Sequence, residues 1–176
     1  EQMKRTSPTN VAQAFQAITQ PPWRITNPYT ITHLTRGIEK IDNSHMKMFS
    51  IVLSSGSLAK LEVLYLSYNK IGDEGIKAFS AAIGRGSLAN LRVLTFSENQ
   101  IGNAGMIELS RQIASGSFAN LTHLYLSGNQ IGDEGMKSFA SAIVRGSLAK
   151  LVALDLRVNQ IGDAGMIEFS RQIASG

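Results

Sequence analysis

The residues best equipped for chemistry in this chain are three histidines, the carboxylates of a recurring glycine motif, and a set of outward tyrosines and charges. The motif reads IGDEG at Ile71–Gly75 and Ile131–Gly135, and IGNAG or IGDAG at Ile101–Gly105 and Ile161–Gly165. Glycine-rich backbone can cradle phosphate with its N–H groups. Here acidic neighbours would repel an anion, and recurrence in every copy marks a structural turn, where glycine permits the backbone geometry. His33 and His123 are candidate metal ligands, but in the repeat described below they lie three coils apart, about 14 Å by strand spacing, too far for one ion. The chain has no cysteine, hence no thiolate nucleophile and no zinc cage. It also lacks a GxxxxGK[ST] phosphate loop, an HExxH helix and a GxSxG elbow. The expectation is a protein with no catalytic residues, no cofactor and no metal site, and therefore not an enzyme.

The elements that must position the remaining candidates follow from a period. Four copies of LxxLxLxxNxIGxxGxxxxxxxI begin at Leu61, Leu91, Leu121 and Leu151. A fixed period of that length marks a solenoid, whose units bury their apolar faces only by stacking on neighbours. Leu64 and Leu66, with their equivalents, alternate with period two and predict a short strand. Ile76, Phe79 and Ile83 then fall at helical spacing. Asp73, Asn103, Asp133 and Asp163 stand where each helix begins, with short side-chain acceptors suited to the free N–H groups of a first turn. Strand, turn and helix repeated in one direction force parallel strand pairing with the helices as a second layer, an α/β arrangement. Strands about 4.8 Å apart beside helices about 10 Å apart make the stack curve, with the parallel sheet on the concave side and the helices on the convex side. Asn69, Asn99, Asn129 and Asn159 leave the strand where an amide can bond the backbone of adjacent coils, a structural ladder.

Leu61, Leu64, Leu66, Asn69, Ile71, Gly75 and Ile83, with their equivalents, resemble the leucine-rich repeat. The long, helix-containing version is similar to the ribonuclease-inhibitor-like subfamily, seen also in Ran GTPase-activating proteins and in the sensor ends of intracellular immune receptors. The resemblance covers residues 61–176 and implies a module for binding other proteins. An alternative it implies is a regulator of a small GTPase, although no residue here matches a catalytic position of the Ran GTPase-activating proteins. Extracellular members of the family usually carry disulfide-stapled caps. The absence of cysteine thus suits a reducing compartment, and no secretory signal is visible, although the chain starts at Glu1. The expectation is an intracellular, cytoplasmic protein, or an organellar one after removal of a leader.

Residues 31–60 read as a divergent first repeat in the same phase. Ile31, Leu34, Ile41, Met46, Phe49 and Leu53 take the apolar positions, while Arg36 and Glu39 replace the second strand leucine and the asparagine. Residues 1–30 read as an N-terminal cap helix, with Val11, Ala14, Phe15 and Ile18 on one face, followed by a Pro-rich arm, PPWRITNPY, whose Trp23 and Tyr29 could dock on another protein. At the other end, Leu154, Leu156, Ile161, Met166 and Phe169 have a neighbour on one side only, and Leu151–Val158 forms a sheet edge with Asp155 and Arg157 to discourage pairing. That predicts further repeats after Gly176, a homotypic end-to-end contact, or a partner over residues 151–176.

At 176 residues, 43% hydrophobic and with a net charge of +4, the sequence has no apolar run long enough for a membrane span and no basic stripe for nucleic acid. Lys77, Glu108, Lys137 and Glu168 would form an alternating row over the convex face, a solvated surface. The expected partner is another protein. Aligned from Leu91 and Leu151, the second and fourth copies are identical at 18 of 26 positions. Five of the eight differences are outward strand positions: Arg92/Val152, Val93/Ala153, Thr95/Asp155, Ser97/Arg157 and Glu98/Val158. Two more are a compensating core swap, Phe96 with Leu109 against Leu156 with Phe169. The scaffold is held while the sheet surface is rewritten, so the candidate partner-binding surface is concave: Tyr65, Tyr68, Arg92, Glu98, His123, Tyr125, Asp155 and Arg157, with His33. Tyrosine and arginine often anchor interfaces. Five short strands offer about 400 Å² against about 800 Å² per partner in a standard interface, so flanking surface or additional coils must contribute.

Overall fold

The computed structural model describes residues 25–27, 30–32, 41–56, 58–83, 87–143 and 146–175. Each regular coil realises the alternation read from its sequence. In β3 (Val63–Tyr65), β4 (Val93–Thr95), β5 (His123–Tyr125) and β6 (Ala153–Asp155), the central leucine points to the helices and its neighbours point away. The strands are parallel and in strict register, Leu64 beside Leu94, Leu124 and Leu154. Helices α1 (Asn43–Ser54), α2 (Asp73–Ile83), α3 (Asn103–Ala114), α4 (Asp133–Ile143) and α5 (Asp163–Ser175) form the second layer. Because helices need about twice the spacing of strands, the sheet lines the concave side of an α/β solenoid.

The core is a continuous seam between the layers. Leu64, Leu66, Ile71, Ile76 and Phe79, and their equivalents in the next two coils, are inaccessible to solvent. The core swap is resolved by geometry. Phe96 sits edge-on to Phe79 of the coil before it, ring centroids 5.4 Å apart, and Phe169 stacks on Phe139 at 6.1 Å. In either arrangement one phenyl ring crosses to the preceding coil.

The asparagines form the expected ladder. Asn69, Asn99, Asn129 and Asn159 accept from the N–H groups of Ile41, Ile71, Ile101 and Ile131 one coil back, at 2.9–3.0 Å. Asn99 and Asn129 also donate to the preceding coil's Leu66 and Phe96 carbonyls. Buried backbone groups left over at the strand-to-helix turn are thereby satisfied.

Three expectations need correction. The residues at the helix starts do not cap their own helix; Gly102 is the N-cap of α3 and makes no side-chain cap bond. Their acceptors serve the next coil instead: Asn43 Oδ1 accepts from Gly72 and Gly75, Asp73 from Gly102, Asn103 from Gly132 and Gly135, and Asp133 from Gly162 and Gly165, at 2.7–3.1 Å. That close approach requires glycine, since a Cβ on Gly105 would come within 2.6 Å of Asp73 Oδ1. Second, the first coil's strand, β2 (Thr30–Thr32), pairs with β3 through Ile31 opposite Leu64, not through Leu34, so three additional residues separate strand from helix there. Helix α1 is in phase, and Asp42 begins it with a capping box to His45. Third, part of the proposed arm is sheet: β1 (Ile25–Asn27) runs antiparallel to β2 and makes a six-stranded sheet in chain order. The cap helix expected over residues 7–20 lies outside the described residues, as do His33, Trp23 and Tyr29.

A candidate protein-recognition surface on the concave sheet

The sheet's outer face is built in columns because the register repeats without slippage. The fifth position of each coil gives Tyr65, Thr95, Tyr125 and Asp155 side by side. Tyr65 is 40% exposed and Thr95 is buried, so two phenol rings about 10 Å apart by strand spacing stand on either side of a short hydroxyl floor. Ser67 Oγ donates to Thr95 Oγ1 at 2.8 Å, and Ser127 Oγ to Ser97 Oγ at 3.0 Å. These hydroxyls satisfy one another and tie adjacent strands below the tyrosines. His123 lies beside this column, its ring 6.0 Å from Tyr125 and its Nδ1 2.8 Å from the Thr122 hydroxyl.

Asp155 and Arg157, which the sequence suggests as two separate edge charges, are one closed unit. The Arg157 guanidinium bonds both carboxylate oxygens at 2.9 Å, and its backbone N–H adds a third bond at 3.1 Å. Those Arg157 bonds, against the opposing push of burial and with help from Ser127, hold the Asp155 carboxyl down at about 2. Arg92, at the start of β4, remains an exposed cation at the rim.

The eighth position contributes a second, less expected feature. Tyr68, Glu98 and Val158 adopt left-handed backbone with φ of 62°, 56° and 54°, a conformation that Gly128 takes in the third coil at 66°. For residues with a Cβ this costs about 1–2 kcal/mol. Gly128 leaves room for its neighbour, because a Cβ there would meet Glu98 Oε1. The conformation recurs at the eighth position of all four regular coils, where the chain turns out of the strand.

The structure thus brings Tyr65, Tyr125 and Asp155 into one column, sets His123 and Arg157 against its members, and places Tyr68 and Glu98 together in a second column. Sequence reasoning missed the hydroxyl ladder of Ser67, Thr95, Ser97 and Ser127, although three of its members recur at thirty-residue spacing. It also missed exposed Val152 and Val158, whose valine side chains stand out in the sequence only as differences from Arg92 and Glu98.

On the convex side the alternating row does not pair across helices. Lys137 bonds Glu134, Arg111 bonds Glu108 and Arg171 bonds Glu168, each within one helix. Lys137 is raised by its bond to Glu134, with Glu168 adding a smaller pull. Such exposed pairs contribute little. Among the described residues no cluster of three His, Cys, Asp or Glu could hold a metal, and no helix is long and apolar enough to cross a membrane.

Among solved structures, an internalin from Listeria monocytogenes is similar at 22% identity with a TM-score of 0.37, over 66% of this chain and 35% of the internalin chain. The chain therefore spans about a third of that protein's length in the structure. No curated protein matches the sequence. The family model described as Leucine Rich repeat matches residues 57–80, 87–110, 119–140 and 147–170, just over half of the chain, and with the coil geometry above this makes the chain a member of the leucine-rich repeat family.

Proposed function

We propose that this chain is a non-catalytic recognition module that binds another protein through its concave sheet. The observation that carries the reading is the fifth-position column, where Tyr65 and Tyr125 flank buried Thr95 on strands whose central residues Leu64, Leu94 and Leu124 are core on the other face. A rigid scaffold presenting amphipathic rings loses little conformational entropy on binding. The concentration of differences between the second and fourth coils at outward strand positions, five of the eight, supports the same face. Arg92, Glu98 and His123 would supply the polar rim that fixes orientation. The thirty-residue period and helices of 11–13 residues favour the ribonuclease-inhibitor-like branch of the family, and the lack of cysteine favours an intracellular setting.

Differential capture tests this. The wild type, Tyr65→Ala with Tyr125→Ala, and Lys77→Ala with Lys137→Ala are immobilised and exposed to the same extract, with bound proteins identified by mass spectrometry. The concave reading expects a protein held by the wild type and by the lysine variant and lost from the tyrosine variant. Equal retention by the tyrosine variant, or loss from the lysine variant instead, moves the site off the sheet.

A further inference from the structure

The fifth-position column has a spacing and a polarity that together describe an occupant. Tyr65 and Tyr125 stand two strands apart on one line across the sheet, about 9.6 Å at about 4.8 Å per strand. Thr95 lies in register between them and is only 6% exposed. The Thr95 hydroxyl accepts from Ser67 and the Ser97 hydroxyl from Ser127, so each keeps a proton with no acceptor among the described residues. The backbone beneath is already paired, since the N–H groups of Leu66 and Phe96 donate to the Thr95 and Tyr125 carbonyls at 2.9 and 2.8 Å. A ligand here meets aromatic side chains and hydroxyl donors, and no open backbone.

A polyproline II segment matches both properties. With three residues per turn and about 3.1 Å per residue, one edge of it returns about every 9.3 Å, in step with the two tyrosines. Proline has no N–H, and the polyproline II backbone makes no internal hydrogen bonds, so its carbonyls are acceptors in need of donors. Such segments dock in aromatic-lined grooves. An added strand returns to one face about every 6.6 Å and pairs through backbone groups, which this face does not offer. An α-helix returns about every 10.8 Å over two turns and has its carbonyls bonded internally, leaving Thr95 and Ser97 unmatched.

Charge adds a second requirement. Glu98 follows Thr95 by three residues, and its carboxylate rests over Gly128, where a Cβ would meet it. No described residue bonds that carboxylate, whereas Asp155 in the column is closed on Arg157. Tyr68, 57% exposed, stands beside Glu98 in the eighth-position column. A carboxylate next to an exposed ring suits an ammonium or guanidinium group.

Resting on the concave reading above, we propose that this face binds a proline-rich segment in the polyproline II conformation that carries a lysine or arginine. Prolines pack on Tyr65 and Tyr125, backbone carbonyls accept from Thr95 and Ser97, and the basic side chain pairs with Glu98.

The probe is a fluorescein-labelled oligoproline of ten residues with one central arginine, titrated with the whole chain and followed by anisotropy. One companion peptide carries glutamate for the arginine, and another carries glycine and serine for the prolines. The expected result is saturable binding of the first peptide, with each companion weaker by about tenfold or more, and loss of about tenfold or more in Tyr65→Ala or Tyr125→Ala. Tyr65→Phe and Tyr125→Phe keep the rings and are expected to keep most of the affinity. Glu98→Arg is expected to prefer the glutamate peptide to the arginine peptide, a reversal that a folding defect cannot produce. The proposal is overturned if the arginine oligoproline does not saturate, if the glycine and serine peptide binds equally, if binding survives loss of both tyrosines, or if Glu98→Arg keeps the original preference. If the protein captured from extract depends on Tyr65 and Tyr125 while the oligoproline does not bind, the concave reading stands and its proline-rich occupant falls.

Discussion

The coils that begin at Leu91 and Leu151 share 18 of 26 residues, yet only one of them has an interior. Met106 is fully buried and its counterpart Met166 is 45% exposed; Leu94 and Phe96 are inaccessible, whereas Leu154 and Leu156 are only half-buried. Burial in this fold is therefore a property of the stack and not of the coil. A repeat supplies half of each interface, and its stability is set by whether a neighbour supplies the other half.

The sharpest way to break that comparison is to make the same truncation in both coils. Met106→Ala is expected to destabilise the protein by about 2–5 kcal/mol, because a cavity opens in a closed interior. Met166→Ala is expected to cost less than about 1 kcal/mol, since water already reaches that side chain. Equal shifts in denaturant midpoint would mean that the two coils are equivalent after all.

The ladder gives a second, smaller contrast. Asn129 and Asn159 make the same bonds to their preceding coil, but Asn129 is buried and Asn159 is half-buried. Asn129→Ala should destabilise by about 1–3 kcal/mol through unsatisfied backbone groups, and Asn159→Ala by less, because solvent can replace the amide. Chemical unfolding of the pair measures the difference.

Most of the architecture was legible in the sequence for a physical reason. Strand and helix periods alternate within one thirty-residue frame, so Val63–Tyr65, Asp73–Ile83 and their repeats could be placed by phase alone. Phase fails where the frame is worn. Without a second strand leucine or an asparagine in residues 31–40, spacing counted back from α1 put Leu34 where Ile31 pairs, and a three-residue strand between prolines left no alternation to announce β1. The columns of the concave face were legible for the same reason as the strands. Their chemistry was not, because it depends on partners that the period does not specify. Asp155 closes onto Arg157 within its own coil, while Ser67 reaches Thr95 and Asp73 reaches Gly102 in the coil that follows.

The twentieth position of each coil offers a gentler probe of equivalence. Ser80 is buried with its hydroxyl unpaired, whereas Ser110 donates to Met106 and Ala140 has no hydroxyl to satisfy. Ser80→Ala should raise stability by about 1 kcal/mol, while Ser110→Ala should be neutral or slightly destabilising, as thermal unfolding of both will tell.

The smallest effect concerns the outer coil's own charge pair. Asp155 titrates at about 2 in the folded protein against an ordinary 3.8. Its stabilising contribution is therefore complete above about pH 4 and is lost as pH falls toward about 2. Asp155→Asn should lower the unfolding midpoint slightly at neutral pH and match the wild type at the acid end of that window; a gap that widens on acidification would mean the pair does not stabilise the native state.

A graft tests most directly whether scaffold and recognition surface are separable in this fold. Arg92→Val, Val93→Ala, Thr95→Asp, Ser97→Arg and Glu98→Val together give the second coil the outward residues of the fourth. The introduced carboxylate and guanidinium can then close on each other as Asp155 and Arg157 do. The quantity to measure is binding of the protein captured by the wild type, with denaturant unfolding of the graft alongside. The prediction is loss of binding by about tenfold or more in a graft that still unfolds cooperatively, destabilised by no more than about 2 kcal/mol for the lost Ser67–Thr95 and Ser127–Ser97 bonds. Retained binding, or a graft that does not fold, would contradict it.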